Sequence, residues 1–320
     1  MRPHTLTIPK PLIPVAGKPI VQHLVEDLAK MCSEKIDEVA FVIGDFGKET
    51  EERLMKIAEN IGAKGRICYQ DEALGTAHAV LCAQESLNGH VIVAFADTIF
   101  RADFKLDASK DGVIWVNTVE NPEQFGVVKV DEHNHIKEFV EKPSSFVSNL
   151  AIIGIYYFKD GDNLKKEIQY LIDNNIKDKG EFQLTNALEN MKNKGLKFEP
   201  GEVKEWLDCG NKNATVYTNQ RVLELNGGNI TPRQHVELEN ATIIEPCYLG
   251  SHVKIKDSVI GPYVSIGDHC TVEHSLISNS IIQHHTCITD ANLKNSMVGS
   301  HASYKGISRE LSISDYSTSE

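Results

Sequence analysis

Between about residue 19 and residue 207, short β-branched runs alternate with stretches whose apolar residues recur at helical spacing. That alternation predicts an α/β domain built on a mainly parallel, Rossmann-like sheet with helices on both faces. Pro19 can stand in the first turn of a helix whose one face carries Val21, Leu24, Val25, Leu28 and Met31 or Cys32. Strands are predicted at Val39 to Ile43, Arg66 to Tyr69, Val91 to Ala96, Val113 to Asn117, Gly126 to Val130 and Ala151 to Phe158.

Beyond the turn-rich Asn226-Gly227-Gly228-Asn229 the period changes. Apolar residues now recur in steps of five or six: Leu238, Ile243, Leu249, Ile255, Ile260, Ile266, Val272, Ile277, Ile282, Ile288, Leu293 and Val298. Three steps make one coil, so Ile243, Ile260, Ile277 and Leu293 should stack in one column of a parallel β-helix made of hexapeptide-like repeats. A helix of period 3.6 or a flat strand of period 2 would not give this spacing. The expected division is residues 1–226 as one domain, 227–305 as the solenoid and 306–320 as a flexible tail. In the same register His235, His252, His269, His285 and His301 recur at every 16 or 17 residues. A metal-binding ladder and an acyl-transfer histidine are the functional readings. An exposed row at a polar corner is the plainer one, because metal binding also needs converging geometry.

Charge and composition narrow the classes. A net charge of −12 argues against a nucleic-acid polymer or an anionic membrane as partner, so any phosphate site must be local. Seven cysteines without a C-x-x-C pair suit reduced thiols, and Ala151 to Phe158, the longest apolar run, is too short to span a bilayer. The expected location is cytoplasmic.

Four segments carry candidate chemistry. Lys10, in Pro9-Lys10-Pro11-Leu12-Ile13-Pro14, is the kind of fixed cation that a phosphoryl-transfer transition state needs. In Gln70 to Ala77, a strand end turns through glycine into a helix. The Gln70 amide can pair with the imide edge of a pyrimidine, and Gly75 permits close backbone approach. Asp97 closes an apolar strand, where ligands of such sheets gather and where a carboxylate suits Mg²⁺. Glu141-Lys142-Pro143 joins a carboxylate, a hydrogen-bond acceptor, to an adjacent cation. Neighbours on a strand face opposite ways, so that pair must lie at a strand end or bulge to share one site.

Together these segments resemble the sugar-1-phosphate nucleotidylyltransferase family, over residues 1 to 223 and with the motifs in family order. Met1-Arg2-Pro3 matches the end of the family's G-x-G-x-R-[LM]-R-P loop, and Pro9 to Pro14 matches its P-K-P-L-[IL]-P. Gln70, Gly75, Thr76 and Ala77 match Q-x-x-x-x-G-T-A, pointing to a pyrimidine nucleotide. Asp97 matches G-D-x-[IL]-F with Ala96 in place of glycine, and Asp208 matches W-x-D-x-G. Gln124 to Val128, Glu141 to Pro143 and Ser148 to Tyr156 match the sugar side. The resemblance is nearest to glucose-1-phosphate thymidylyl- or uridylyltransferases, some longer members of which carry a left-handed β-helical tail.

The resemblance implies transfer of a nucleotidyl group from dTTP or UTP to a sugar 1-phosphate, with Mg²⁺ as cofactor. Lys10, Lys142 and Arg2 would be catalytic, Gln70, Gly75 and Thr76 would bind nucleotide, and Asp97 and Asp208 would hold the metal. Gly126, Glu141, Lys142, Asn149 and Ile152 would bind the sugar phosphate. A homo-oligomer through the β-helix is expected. Absent are the family's first strand, the loop glycines and the first arginine; the expectation is that Met1 is an internal methionine of the signature. A first strand missing from the sheet would leave two neighbours unpaired. The rival readings are a non-catalytic regulatory or interaction homologue and a bifunctional enzyme with acyltransferase activity in the solenoid.

Overall fold

The computed structural model describes residues 1–101, 105–226 and 234–307. Its contacts divide into two units: residues 2–13 with 20–208, and residues 14–19 with 209 onward. The expected tail, from residue 308 on, and most of the 226–229 break lie outside the described residues.

In chain order the elements are β1 (Pro14–Val15), β2 (Lys18–Pro19), α1 (Ile20–Met31), β3 (Glu38–Ile43), α2 (Lys48–Asn60), β4 (Lys64–Tyr69), α3 (Thr76–Cys82), β5 (Val91–Ala94), β6 (Thr98–Arg101) and β7 (Gly112–Thr118). They continue with β8 (Gly126–Val130), β9 (Ile136–Glu141), β10 (Leu150–Phe158), α4 (Gly161–Asp173), α5 (Leu184–Asn193), β11 (Phe198–Glu202), β12 (Glu205–Asp208) and α6 (Lys212–Leu225). Every predicted strand is present. Pro19, however, is not in a helix: it pairs with Pro14 in the β1–β2 hairpin, and α1 starts at Ile20. The two prolines supply fixed φ values to a short extended ladder, which competes successfully with the helical first turn.

β10 is the middle of the larger unit. β5, β7 and β8 each run antiparallel to it and therefore parallel to one another, and β11 runs parallel to β7. Among the described strands of this six-stranded sheet, β9 and β10 point the other way. The apolar run that encodes β10 is buried on both faces. Ile152, Tyr156 and Phe158 pack toward α3, α4 and α5, while Ile153, Ile155 and Tyr157 pack toward Leu24, Leu28 and Met31 of α1. Alternation of period 2 thus feeds two cores, which is why the run shows no polar positions. β3 and β4 form a separate parallel pair, so β3 and β5 each pair on one edge only among the described residues.

The smaller unit contains a parallel β-solenoid consistent with the left-handed form. Three ladders of five, four and four strands stack in register. Ile243, Ile260, Ile277 and Leu293 fall in one column, as their spacing predicts. Buried serines close the corners: Ser258 Oγ accepts from the Ser275 amide at 3.0 Å and Ser275 Oγ from the Ala291 amide at 3.1 Å. One ladder faces α6 and the hairpin. Asn219, fully buried, accepts from the Ala16 amide at 2.9 Å and from Ser265 Oγ at 2.6 Å, and donates to the Tyr263 carbonyl at 3.3 Å. Among the described residues, no disulfide joins the cysteines and no helix is long and apolar enough to cross a membrane.

Candidate active site

Lys10 opens a single 3-10 turn, Lys10–Leu12, between Pro9 and Pro11. The prolines fix the backbone, and the buried Leu12 and Ile13 anchor it, so the one long polar side chain is left to reach outward. It reaches Asp97: Lys10 Nζ lies 2.8 Å from Asp97 Oδ2. Asp97 sits in the turn between β5 and β6, at the carboxyl end of an apolar strand. With side chains 26% and 46% exposed, the pair contributes little to stability, about 1 kcal/mol at most.

Asp208 comes to the same place through pairing. β12 runs antiparallel to β6 with Asp208 opposite Thr98, the residue after Asp97. Thr98 is buried and its hydroxyl accepts from Trp206 Nε1 at 2.9 Å, which locks the two strands side by side. Trp206 also packs edge-on against Phe125, with ring centroids 5.3 Å apart, joining the two aspartates to the segment that begins β8. Two carboxylates suit Mg²⁺, which commonly takes one or two from the protein and the rest from water and phosphate. The described residues hold no converging group of three or more metal-ligating side chains.

On the sugar side, Glu141 is the last residue of β9 and Lys142 follows at φ +42°, off the strand. That is the strand end which the pair requires. Glu141 lies opposite Gly126 in the β8–β9 register, and a Cβ on Gly126 would come within 3.0 Å of Glu141 Oε2 and 3.4 Å of Ile152 Cδ1. Burial pushes the Glu141 carboxyl above the ordinary carboxylate value, and the Lys142 ammonium, 4.0 Å away, pulls it part of the way back. The Ile152 side chain is buried, and the Asn149 side chain is exposed just before β10. Arg2 is exposed in the opening turn.

The Gln70 segment is held by protein contacts. Gln70 Nε2 donates to the Gly75 carbonyl at 3.3 Å and lies 3.1 Å from His78 Nδ1. Thr76 Oγ1 accepts from the Leu184 amide at 2.9 Å and donates to Gln183 Oε1 at 3.2 Å. Gly75, at φ +121°, approaches the Phe182 backbone so closely that a Cβ would stand 2.5 Å from its carbonyl oxygen.

A connecting segment went unread in the sequence. Residues 179–185 touch both halves: Gln183 and Leu184 hold Thr76, Thr185 Oγ1 lies 3.3 Å from Glu141 Oε2, and Lys179 Nζ donates to the carbonyls of Glu141, at 3.2 Å, and Lys142. Gln183 and Thr185 are buried polar residues at the start of α5, a position that reads from sequence as ordinary helix capping.

Comparison with known proteins identifies the family. The nucleotidyl transferase family profile matches residues 1–224. The chain is 29% identical to the low-salt glycan biosynthesis nucleotidyltransferase Agl11 of Haloferax volcanii, over 94% of this chain and 89% of that one. It is 27% identical to a glucose-1-phosphate thymidylyltransferase of Streptomyces antibioticus, over 93% and 88% of the two chains. In fold it resembles a UDP-glucose pyrophosphorylase solved with UDP-glucose, at a TM-score of 0.57 and 22% identity, over 70% of this chain and 94% of that one. With the match running through every segment described above, the chain belongs to the nucleotidyl transferase family.

Proposed function

We propose that this protein transfers a nucleotidyl group from dTTP or UTP to a sugar 1-phosphate, glucose 1-phosphate first among them, and releases pyrophosphate. The observation that carries the reading is the Lys10–Asp97 pair at the end of β5, with Asp208 held in register beside it. The activities by which the Haloferax and Streptomyces relatives are named support the same reaction class. A soluble nucleotide, a soluble sugar phosphate and a chain without a membrane-spanning helix among its described residues suit a cytoplasmic enzyme.

In the reaction, an oxygen of the sugar phosphate forms a bond to the α-phosphorus while the bond from that phosphorus to the bridging oxygen breaks, so pyrophosphate leaves. Lys142 would grip the sugar phosphate and hold its oxygen in line, with Glu141 accepting sugar hydroxyls. Lys10 would offset charge on the phosphoryl oxygens, with Arg2 beside the triphosphate. Gln70 would face the base. Asp97 and Asp208 would hold Mg²⁺, which supplies Lewis-acid stabilisation of the phosphates.

Pyrophosphate release, followed over a panel of nucleoside triphosphates and sugar 1-phosphates with Mg²⁺, tests the reading. Turnover is expected with dTTP or UTP and a hexose 1-phosphate. The panel should be run on this chain and on a version carrying the family's first strand and loop. Silence of both with every pair overturns the catalytic reading in favour of a binding or regulatory homologue.

Glu141 adds a pH prediction. Both its oxygens serve as full acceptors for hydroxyls only when it is ionised, and its carboxyl titrates above the ordinary value because it is buried. Activity should therefore fall, as pH is lowered, at a higher pH than an exposed glutamate would give. The acid limb of kcat/KM for the sugar phosphate measures this, and Glu141→Gln should remove that limb along with most of the activity.

A further inference from the structure

The five histidines of the solenoid are not merely in sequence register. Their rings stack in one column, with successive centroids 4.9, 4.9, 4.9 and 4.8 Å apart and planes within 10° of parallel. All five are exposed, and all five have φ between +54° and +57°. Positive φ favours Asn, Asp and His over other non-glycine residues, so a corner of this kind could collect histidine for backbone reasons alone.

The other two corners show what that demand selects. One carries Asn240, Asp257, His274 and Asp290, and the other Tyr263, Asn279 and Asn295, all at positive φ. A corner that asks only for a left-handed residue is thus met by a mixture. Histidine at five positions out of five asks for an imidazole.

We propose that this column is a binding array for borderline transition-metal ions such as Zn²⁺ and Ni²⁺, each ion held by two neighbouring imidazoles and completed by water. Imidazole nitrogen is the ligand these ions favour. With metal–nitrogen bonds of about 2.0–2.1 Å, two nitrogens on a tetrahedral ion stand about 3.4 Å apart with their in-plane lone pairs converging, so neighbouring rings must close by less than about 1 Å each and also turn out of the parallel stack by roughly 50° each. The rings are exposed, so rotation about χ1 and χ2 can bring a neighbouring pair to that arrangement, with the metal–nitrogen bonds offsetting the lost stacking. Because an ion uses two adjacent rings, a row of five takes two ions.

Adjacency gives the test. Ni²⁺ binding is measured by calorimetry on the full chain in the presence of Mg²⁺, with a variant carrying Asn at all five positions as the reference for other sites. Asn occupies the equivalent corners at 240, 279 and 295, so it suits the backbone, and far-UV circular dichroism checks each variant's fold. The wild-type chain should bind two ions above the reference, and His269→Asn should still bind two, through the pairs on either side. His235→Asn with His301→Asn should bind one. His252→Asn with His285→Asn leaves three histidines, none adjacent, and should bind Ni²⁺ at least tenfold more weakly with no chelate stoichiometry. If the two double variants lose binding equally, or the wild-type chain takes up no more Ni²⁺ than the reference, the column is only a polar corner.

Discussion

Asp97→Asn is expected to lower the rate of pyrophosphate release by about three orders of magnitude while leaving thermal stability nearly unchanged. The carboxylate is almost half exposed and its ion pair with Lys10 is of the surface kind, so the folded state loses about 1 kcal/mol or less. A residue that holds the charge-stabilising ion at the reacting phosphates is worth far more than that in the transition state. Lys10→Met should also cost about 10²–10³ in kcat, the usual price of removing one preorganised charge from a transition state. The two variants differ in their response to Mg²⁺. On the proposed reading, losing Asp97 removes a metal ligand and should raise the Mg²⁺ concentration for half-maximal rate. Losing Lys10 frees Asp97 Oδ2 of a competing cation and should leave that concentration unchanged or lower it. A Mg²⁺ titration of both variants separates a metal site from a simple salt bridge. If Asp97→Asn turns over at the wild-type rate, Asp97 does not hold a metal.

Much of this was legible in the sequence because the signals were local. A run from Ala151 to Phe158 without polar residues can only be a strand buried on both sides, and the structure buries it between two helical layers. A step of five or six residues allowed one architecture, and Ile260 and Ile277 stack as that step requires. Lys10 and Asp97, 87 residues apart, could be named separately, but only the turn after β5 brings them within 2.8 Å. What the sequence hid depended on long-range pairing. Nothing near Lys179 or Thr185 marks them as neighbours of Glu141, because their partners lie 37 to 44 positions away. Pro19 was misread for the opposite reason: its local preference for a first helical turn gave way to a ladder with Pro14. Gly75 was legible as a special position, but the close approach that explains it is to Phe182.

That contact makes Gly75→Ala a substitution expected to damage the fold of the larger unit severely. At φ +121° and ψ 177° the backbone occupies a region that is essentially closed to residues with a Cβ, worth about 1–3 kcal/mol of strain. The added methyl would also meet Phe182 O at 2.5 Å and Phe182 N at 2.7 Å, both backbone atoms that cannot swing aside. Overpacking of that kind adds about 1–3 kcal/mol, so the total reaches about 2–6 kcal/mol. Gly180→Ala is the matched control. Its φ is +86° but nothing lies within 4 Å of its would-be Cβ, so it carries the backbone term without the clash. Denaturant unfolding should therefore place Gly75→Ala well below Gly180→Ala in stability. The damage should also reach function, because the Gly75 carbonyl accepts from Gln70, and Ala77, two residues on, donates its amide to the Phe182 carbonyl. Pushing residues 75 and 182 apart would shift the Gln70 side chain and loosen the helix start together, raising KM for the nucleotide more than KM for the sugar phosphate. Equal rises in both would mean that the segment does not face the nucleotide, and equal stability of the two alanine variants would mean that the Phe182 backbone gives way.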